Sequence, residues 1–144
     1  MRLSKKCRYG TRAMIEIARR EVNGPVKRKH IVETEGLSMG FLENILCVLK
    51  DNGLIRTVRG ARGGFVLKAP PEKITLLDVV SALESETAPV ECLENKDSCP
   101  RSTACTARKA WRKVHKIQTQ VLSKITLRDL VDMDKEPGTL DYAI

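Results

Sequence analysis

The fold class predicted for this chain is mainly α with a small β-hairpin: a winged helix-turn-helix followed by a long C-terminal dimerisation helix. Three observations predict it. Residues 26–67 run in the order short helix, turn, second helix, glycine-rich hairpin. Positive charge gathers on the half holding that stretch, with 15 Lys and Arg against 6 Asp and Glu in residues 1–70, and 11 against 12 in residues 71–144. Residues 102–125 carry an apolar stripe too long for so small a domain to cover.

The elements follow in order. Residues 3–21 read as a helix capped by Ser4, with Tyr9, Ala13 and Ile17 on one stripe and Met14 and Ala18 beside it. Arg2, Lys5, Lys6, Arg8 and Arg12 crowd its first half. Cations there oppose the helix dipole, so either an anionic neighbour such as a phosphate relieves them or they form a solvated charge run. Asn23-Gly24-Pro25 breaks the chain. Residues 27–34 make a short helix, Glu35-Gly36 a turn, and Ser38 caps a second helix. Leu42, Ile45, Leu46 and Leu49 then fall at i, i+3, i+4 and i+7, which turns one face of that helix to the core. Asn52-Gly53 ends it. Two β-prone runs, 54–58 and 65–67, flank the wing sequence Arg59-Gly60-Ala61-Arg62-Gly63-Gly64.

Beyond the wing, Pro70-Pro71 stiffens a connector. A helix over 74–84 starts on Thr75 with Asp78 three residues on, and I-T-L-R-D-L-V at 125–131 repeats I-T-L-L-D-V-V at 74–80. The repeat reads as one capping solution used twice. The helix over 102–125, about 35 Å long at 1.5 Å per residue, bears Ala107, Ala110, Trp111, Val114, Ile117, Val121, Leu122 and Ile125. Pairing with a second copy would cover that stripe; folding back on its own domain is the alternative. The expected organisation is a DNA-binding domain over 1–73, a dimerisation region over 74–132 with a cysteine loop at 88–105, and a mobile tail over 133–144.

The bulk properties narrow the function. At 144 residues the chain can bury its own core. No apolar run approaches the ~20 residues that span a bilayer, and the N-terminus lacks a signal-peptide core, so a cytoplasmic location without membrane contact is expected. Basic charge coinciding with a helix-turn-helix points to double-stranded DNA. Aromatic residues make up 3% of the chain, too few for a single-strand stacking platform. No catalytic triad, phosphate-cradling glycine loop or carboxylate pair is present, so no enzyme is expected.

Five cysteines in a reducing compartment suggest free thiols, redox chemistry or metal ligands. Cys92, Cys99 and Cys105 are spaced C-x6-C-x5-C in one irregular segment. Three thiolates within reach of one point suit an iron–sulfur cluster, 2Fe-2S or 4Fe-4S, while zinc or three unligated thiols remain open. Cys105 is expected in the first turn of the long helix, where the dipole favours a thiolate. Cys47, on the second helix of the pair, is expected packed or half-exposed.

The opening M-R-L-S-x-K with Tyr9-Gly10, F-L-E at 41–43, N-G-L-I at 52–55, V-R-G-A-R-G-G-F at 58–65 and the three-cysteine loop together resemble the Rrf-two family of bacterial winged-helix regulators, of the IscR/NsrR/CymR type. The similarity covers roughly residues 1–132. It implies a homodimer with crossed long helices reading a partial palindrome. It also implies, for three-cysteine members, a cluster that senses iron–sulfur status, nitric oxide or redox stress. Two departures stand out. Where the cluster-assembly regulators place a His three residues after the third Cys, this chain has Arg108. Where the nitric-oxide sensors place an Asp near the start of the first helix, it has Arg8, beside Cys7. The fourth ligand is thus open, with Cys7 of a partner chain the first candidate and His30, His115, Glu91, Glu94 and Asp97 behind it. The alternative keeps the DNA-binding dimer without a cluster, controlled by a protein or metabolite, for example in cysteine or sulfur metabolism.

The candidate DNA contacts are Arg2, Ser38, Met39, Gly40, Phe41, Glu43, Asn44, Arg59 and Arg62. Met39, Gly40, Glu43 and Asn44 lie off the apolar stripe; Glu accepts from cytosine N4 and Asn pairs with adenine. The resemblance singles out Phe41, whose contact would be apolar, and Glu43. Gly60, Gly63 and Gly64 allow close backbone approach, which would let Arg59 and Arg62 enter a minor groove.

Overall fold

Four of the helix starts among the described residues fall where the sequence offers an oxygen to the first free amides. The computed structural model describes residues 3–133. In it α1 (Lys5–Arg20) begins behind Ser4, whose hydroxyl accepts from the Cys7 amide at 3.0 Å. α2 (Arg28–Glu35) stops on Gly36 at φ 63°, a left-handed conformation that a side chain would make costly. α3 (Met39–Asp51) begins behind Ser38, which accepts from the Phe41 amide at 3.3 Å. Each such cap is typically worth ~1 kcal/mol. The antiparallel strands β1 (Ile55–Val58) and β2 (Gly64–Leu67) set Ile55 opposite Leu67 and Val58 opposite Gly64.

α4 (Leu76–Leu83) and α6 (Leu127–Met133) start on the two copies of the Thr-x-x-Asp pattern. Thr75 and Asp78 form a complete capping box, and Thr126 and Asp129 repeat its bonds. The copies also lie side by side: the Leu76 amide donates to the Ile125 carbonyl at 2.7 Å and the Leu127 amide to the Ile74 carbonyl at 2.9 Å. A second such bridge joins Val26 to Phe65, with both amides donating across at 2.9 Å, and so ties the entry of α2 to the wing. β2 comes so close there that a Cβ on Gly64 would sit 2.6 Å from the Val26 carbonyl oxygen.

One core serves the whole body. Met14 and Ile17 of α1, Ile31 of α2, Leu42, Ile45 and Leu49 of α3, Val79 and Val80 of α4 and Leu127 of α6 are all buried in it. Full burial of an aliphatic side chain contributes ~1.5–3 kcal/mol. Gly10 lets α4 press on α1, since a Cβ there would run into the Leu83 side chain. α4 and α6, from the region expected to serve dimerisation, therefore share the core of the helix-turn-helix.

The long helix differs from its expected span of 102–125. α5 covers Thr106–Leu122, because residues 102–104 fold into turns and Cys105 stands one position outside as the N-cap, its sulfur accepting from the Arg108 amide at 3.4 Å. Arg108 is the one residue α5 buries, so the helix projects instead of folding back. Trp111, Val114, Ile117 and Val121 stay open to solvent at 45–61% exposure. No helix among the described residues is long and apolar enough to cross a membrane. Arg2 and nearly all of the expected tail, residues 134–144, lie outside the described residues.

Candidate nucleic-acid interface

With Leu42, Ile45, Leu46 and Leu49 turned inward, the other face of α3 is left to the outside. Met39, Gly40, Asn44, Cys47 and Lys50 are exposed and Glu43 is about half exposed. Between this face, the start of α2 and the wing runs an open groove of about 810 Å³, whose charged lining is Lys27, Arg28, Lys29 and Lys50 with Glu43 as the carboxylate. Met39 lies on its wall, and Gly60, Gly63 and Gly64 form the wing side. Four cations around one acid make it a place for a polyanion. Arg28 forms an ion pair with Glu43, so that carboxylate is not presented bare.

The structure thus brings Met39 and Glu43 into one groove with the wing glycines. Gly40 and Asn44 lie on the exposed face of α3 and Ser38 at its head, while Arg59 and Arg62 are exposed at the wing tip. Phe41 stands at the head of α3, partly open to a cleft shared with Lys5, Tyr9 and Ser38. Its ring is half-buried edge-on against Tyr9, centroids 5.9 Å apart, where it helps seat α3 on α1. Cys47 is exposed where a packed or half-exposed side chain was expected.

The cations of α1 divide. Lys5 borders a smaller cleft with Tyr9, Ser38 and Phe41 at the head of α3. Arg12 is ion-paired with Glu35 and lies over the Tyr9 ring, 5.3 Å from its centroid. Glu16, 1% exposed, was not singled out by sequence reasoning. Burial alone would raise its pKa, but hydrogen bonds from Arg20 and His30 outweigh that and hold its carboxyl below the usual range. His30 Nε2 donates to Glu16 Oε1 at 2.9 Å, so its ring is engaged in positioning α2 on α1.

The cysteine loop is held by side chains of its own. Cys92 lies in a 3-10 turn, Glu91–Leu93, Cys99 follows another, Lys96–Ser98, and Cys105 caps α5. All three are half-buried. Glu94 accepts from the Thr87 and Ala88 amides, each at 2.9 Å. Arg108 reaches back into the loop: its Nε donates to the Cys92 carbonyl at 2.8 Å and its Nη1 to the Ser102 carbonyl at 3.2 Å. Sequence reasoning noted Arg108 only as a missing ligand. A guanidinium has no lone pair to offer a metal.

Among the described residues no three His, Cys, Asp or Glu side chains are grouped closely enough to hold one metal ion. As arranged, the loop is not a preassembled cluster or zinc site. Cys7 is not brought to it either. Its thiol is fully enclosed in the core, and burial, with the Glu84 carboxylate nearby, pushes its pKa up to about 11. His115 has its Nδ1 enclosed without a hydrogen-bond partner, and Glu91, Glu94 and Asp97 are exposed.

Known proteins share this architecture. Residues 3–133 match the model of the Rrf2 family, described as iron-dependent transcriptional regulators. The chain is 40% identical to the protein Rrf2 of Nitratidesulfovibrio vulgaris, over 91% of this chain and 87% of that one. It is 37% identical to the regulator CymR of Bacillus subtilis, over 90% and 89%. It is 34% identical to the regulator IscR of Xenorhabdus nematophila, over 99% and 85%. Among solved structures it superposes on CymR, the global cysteine regulator of B. subtilis, with a TM-score of 0.77 at 35% identity, covering 92% of this chain and 98% of that one. The IscR structure from T. potens gives 0.77 at 33% identity, covering 94% and 90%. These relatives are transcriptional regulators and not enzymes. With its winged helix-turn-helix and a match along nearly its whole length, the chain belongs to the Rrf2 family of transcriptional regulators.

Proposed function

We propose that the chain is a cytoplasmic homodimeric regulator that reads a partial palindrome in double-stranded DNA through α3 and the wing, with its input at the 92–105 cysteine loop. The observation that carries the reading is the groove in which Lys27, Arg28, Lys29 and Lys50 surround the outer face of α3 beside the wing glycines. A helix lying in the major groove from there leaves Arg59 and Arg62 to follow the backbone or the adjacent minor groove. The bare apolar face of α5 supports pairing with a second copy, because two such stripes cover each other.

The loop joins the two functions. Arg108 fastens it to the first turn of α5, so a change at the thiols is a change at the dimer helix and hence in the spacing of the two DNA-reading units. Two inputs are compatible with the family. Three half-buried cysteines on one loop favour thiolate ligation of an iron–sulfur cluster, with the loop drawing together to make the site. The Arg108 clamp, which orders the loop through protein bonds alone, favours the reading with free thiols or zinc and a protein or metabolite as signal.

Fluorescence anisotropy with duplex fragments tests the DNA reading. Arg59→Ala is expected to weaken operator binding roughly 5- to 100-fold, and no attraction to any duplex at low ionic strength overturns the proposal. Anaerobic purification separates the inputs. Brown protein carrying iron and sulfide, bleached by replacing Cys92, Cys99 and Cys105 with Ala, supports the cluster; colourless protein supports the second reading.

A further inference from the structure

Glu43 is a carboxylate in a groove built for phosphates. Left bare it would repel the DNA backbone, and its useful chemistry is narrow: it accepts from an exocyclic amine on a base edge. Arg28 makes that chemistry available. Its Nη1 binds Glu43 Oε1, while Oε2 has no hydrogen-bond partner among the described residues. Arg28 itself is held in place. It is the first residue of α2, two positions after Val26, whose bridge to Phe65 locks that segment to the wing. Its side chain therefore joins α2 to α3, on a segment that the Val26 backbone bridge ties to the wing. The two side chains are 51% and 46% exposed, and a pair so exposed adds little to folding stability, so its value lies in placement.

We propose that Arg28 is a specificity-determining positioning residue. It neutralises Glu43 and holds its carboxylate so that Oε2 meets a base amine in the major groove, cytosine N4 or adenine N6. This rests on the DNA-reading role proposed above and adds what that role lacks, a reason why an acid is tolerated in a basic groove.

The test is selection from a randomised duplex library by the full-length protein and three variants, Arg28→Ala, Arg28→Lys and Glu43→Ala. The unsubstituted protein and Arg28→Lys are expected to enrich cytosine or adenine at one position of each half-site, and which base is enriched identifies the amine. Glu43→Ala loses that preference. Arg28→Ala loses it as well, by roughly tenfold or more in discrimination, with its melting temperature unchanged. The Arg28→Ala, Glu43→Ala double variant is no worse than either alone. An Arg28→Ala protein that keeps the base preference and binds all duplexes more weakly, with a smaller salt slope, makes Arg28 a phosphate contact and overturns the proposal. So does Glu43→Ala with the preference intact. Failure of the DNA reading itself looks different: no protein in the set, the unsubstituted one included, enriches any sequence, and both proposals then fall together.

Discussion

Arg108 holds Cys92 through the backbone: guanidinium Nε to the Cys92 carbonyl oxygen at 2.8 Å, with a second arm on the Ser102 carbonyl. A charged donor that satisfies two carbonyls while 7% exposed is expensive to remove. Arg108→Ala is expected to cost about 1–3 kcal/mol, felt in the loop. Hydrogen exchange should quicken across residues 91–105 and stay slow in α1 and α3. Lysine should not rescue it, lacking the planar fork. Unchanged exchange in the loop would mean that these bonds do not order it.

Glu16 makes a second prediction. Its folded pKa lies below the ordinary 4.5, so between pH 4.5 and the depressed value the unfolded chain binds a proton that the folded chain does not. Stability from this group is full above pH 4.5 and drains away as pH falls through the folded value. Urea unfolding from pH 6 down to 3 should show that loss, and Glu16→Gln should flatten it. At pH 7 Glu16→Ala is expected to cost about 1–3 kcal/mol by leaving its partners unmatched.

Cys7 behaves oppositely. Its folded pKa, about 11, is above the ordinary 9.0, so the folded thiol keeps its proton while the unfolded one loses it. Its contribution is present below pH 9 and vanishes toward pH 11. Unfolding midpoints should fall across that interval, less so in Cys7→Ala. In native protein near pH 8 a thiol reagent should label exposed Cys47 readily and reach Cys7 only on unfolding.

The open stripe on α5 is testable by charge. Ile117→Glu with Val114→Glu should yield a monomer in sedimentation with unchanged helical content, since both side chains touch solvent and not the core. Weaker operator binding should follow from the loss of the second half-site. A variant that still sediments as the unsubstituted protein does would remove α5 as the pairing surface.

Local features were legible in the sequence. Ser4, Ser38, Thr75 and Thr126 act within three residues of themselves, and the α3 stripe repeats at helical spacing, so caps and core face could be read directly. What escaped was non-local or contrary to residue type. The Val26–Phe65 and Thr75–Thr126 bridges join distant segments. Glu16 and Arg108 are charged yet buried: His30 of another helix joins the neighbouring Arg19 and Arg20 on Glu16, and the Cys92 carbonyl takes up Arg108. Cys7 was half visible: residues 7, 10, 14 and 17 step by three, four and three along the buried face, although the resemblance cast its thiol as a candidate ligand. Phe41 is half-buried because Tyr9, from another helix, packs edge-on against its ring.

The bridge between residues 75 and 126 pins the far end of the projecting helix to the body, while the arginine grip near its beginning reaches only the segment that carries the thiols. On the proposed function, a reshaped thiol segment would pull on one end of a lever whose other end is pinned, and the displacement would pass along its length.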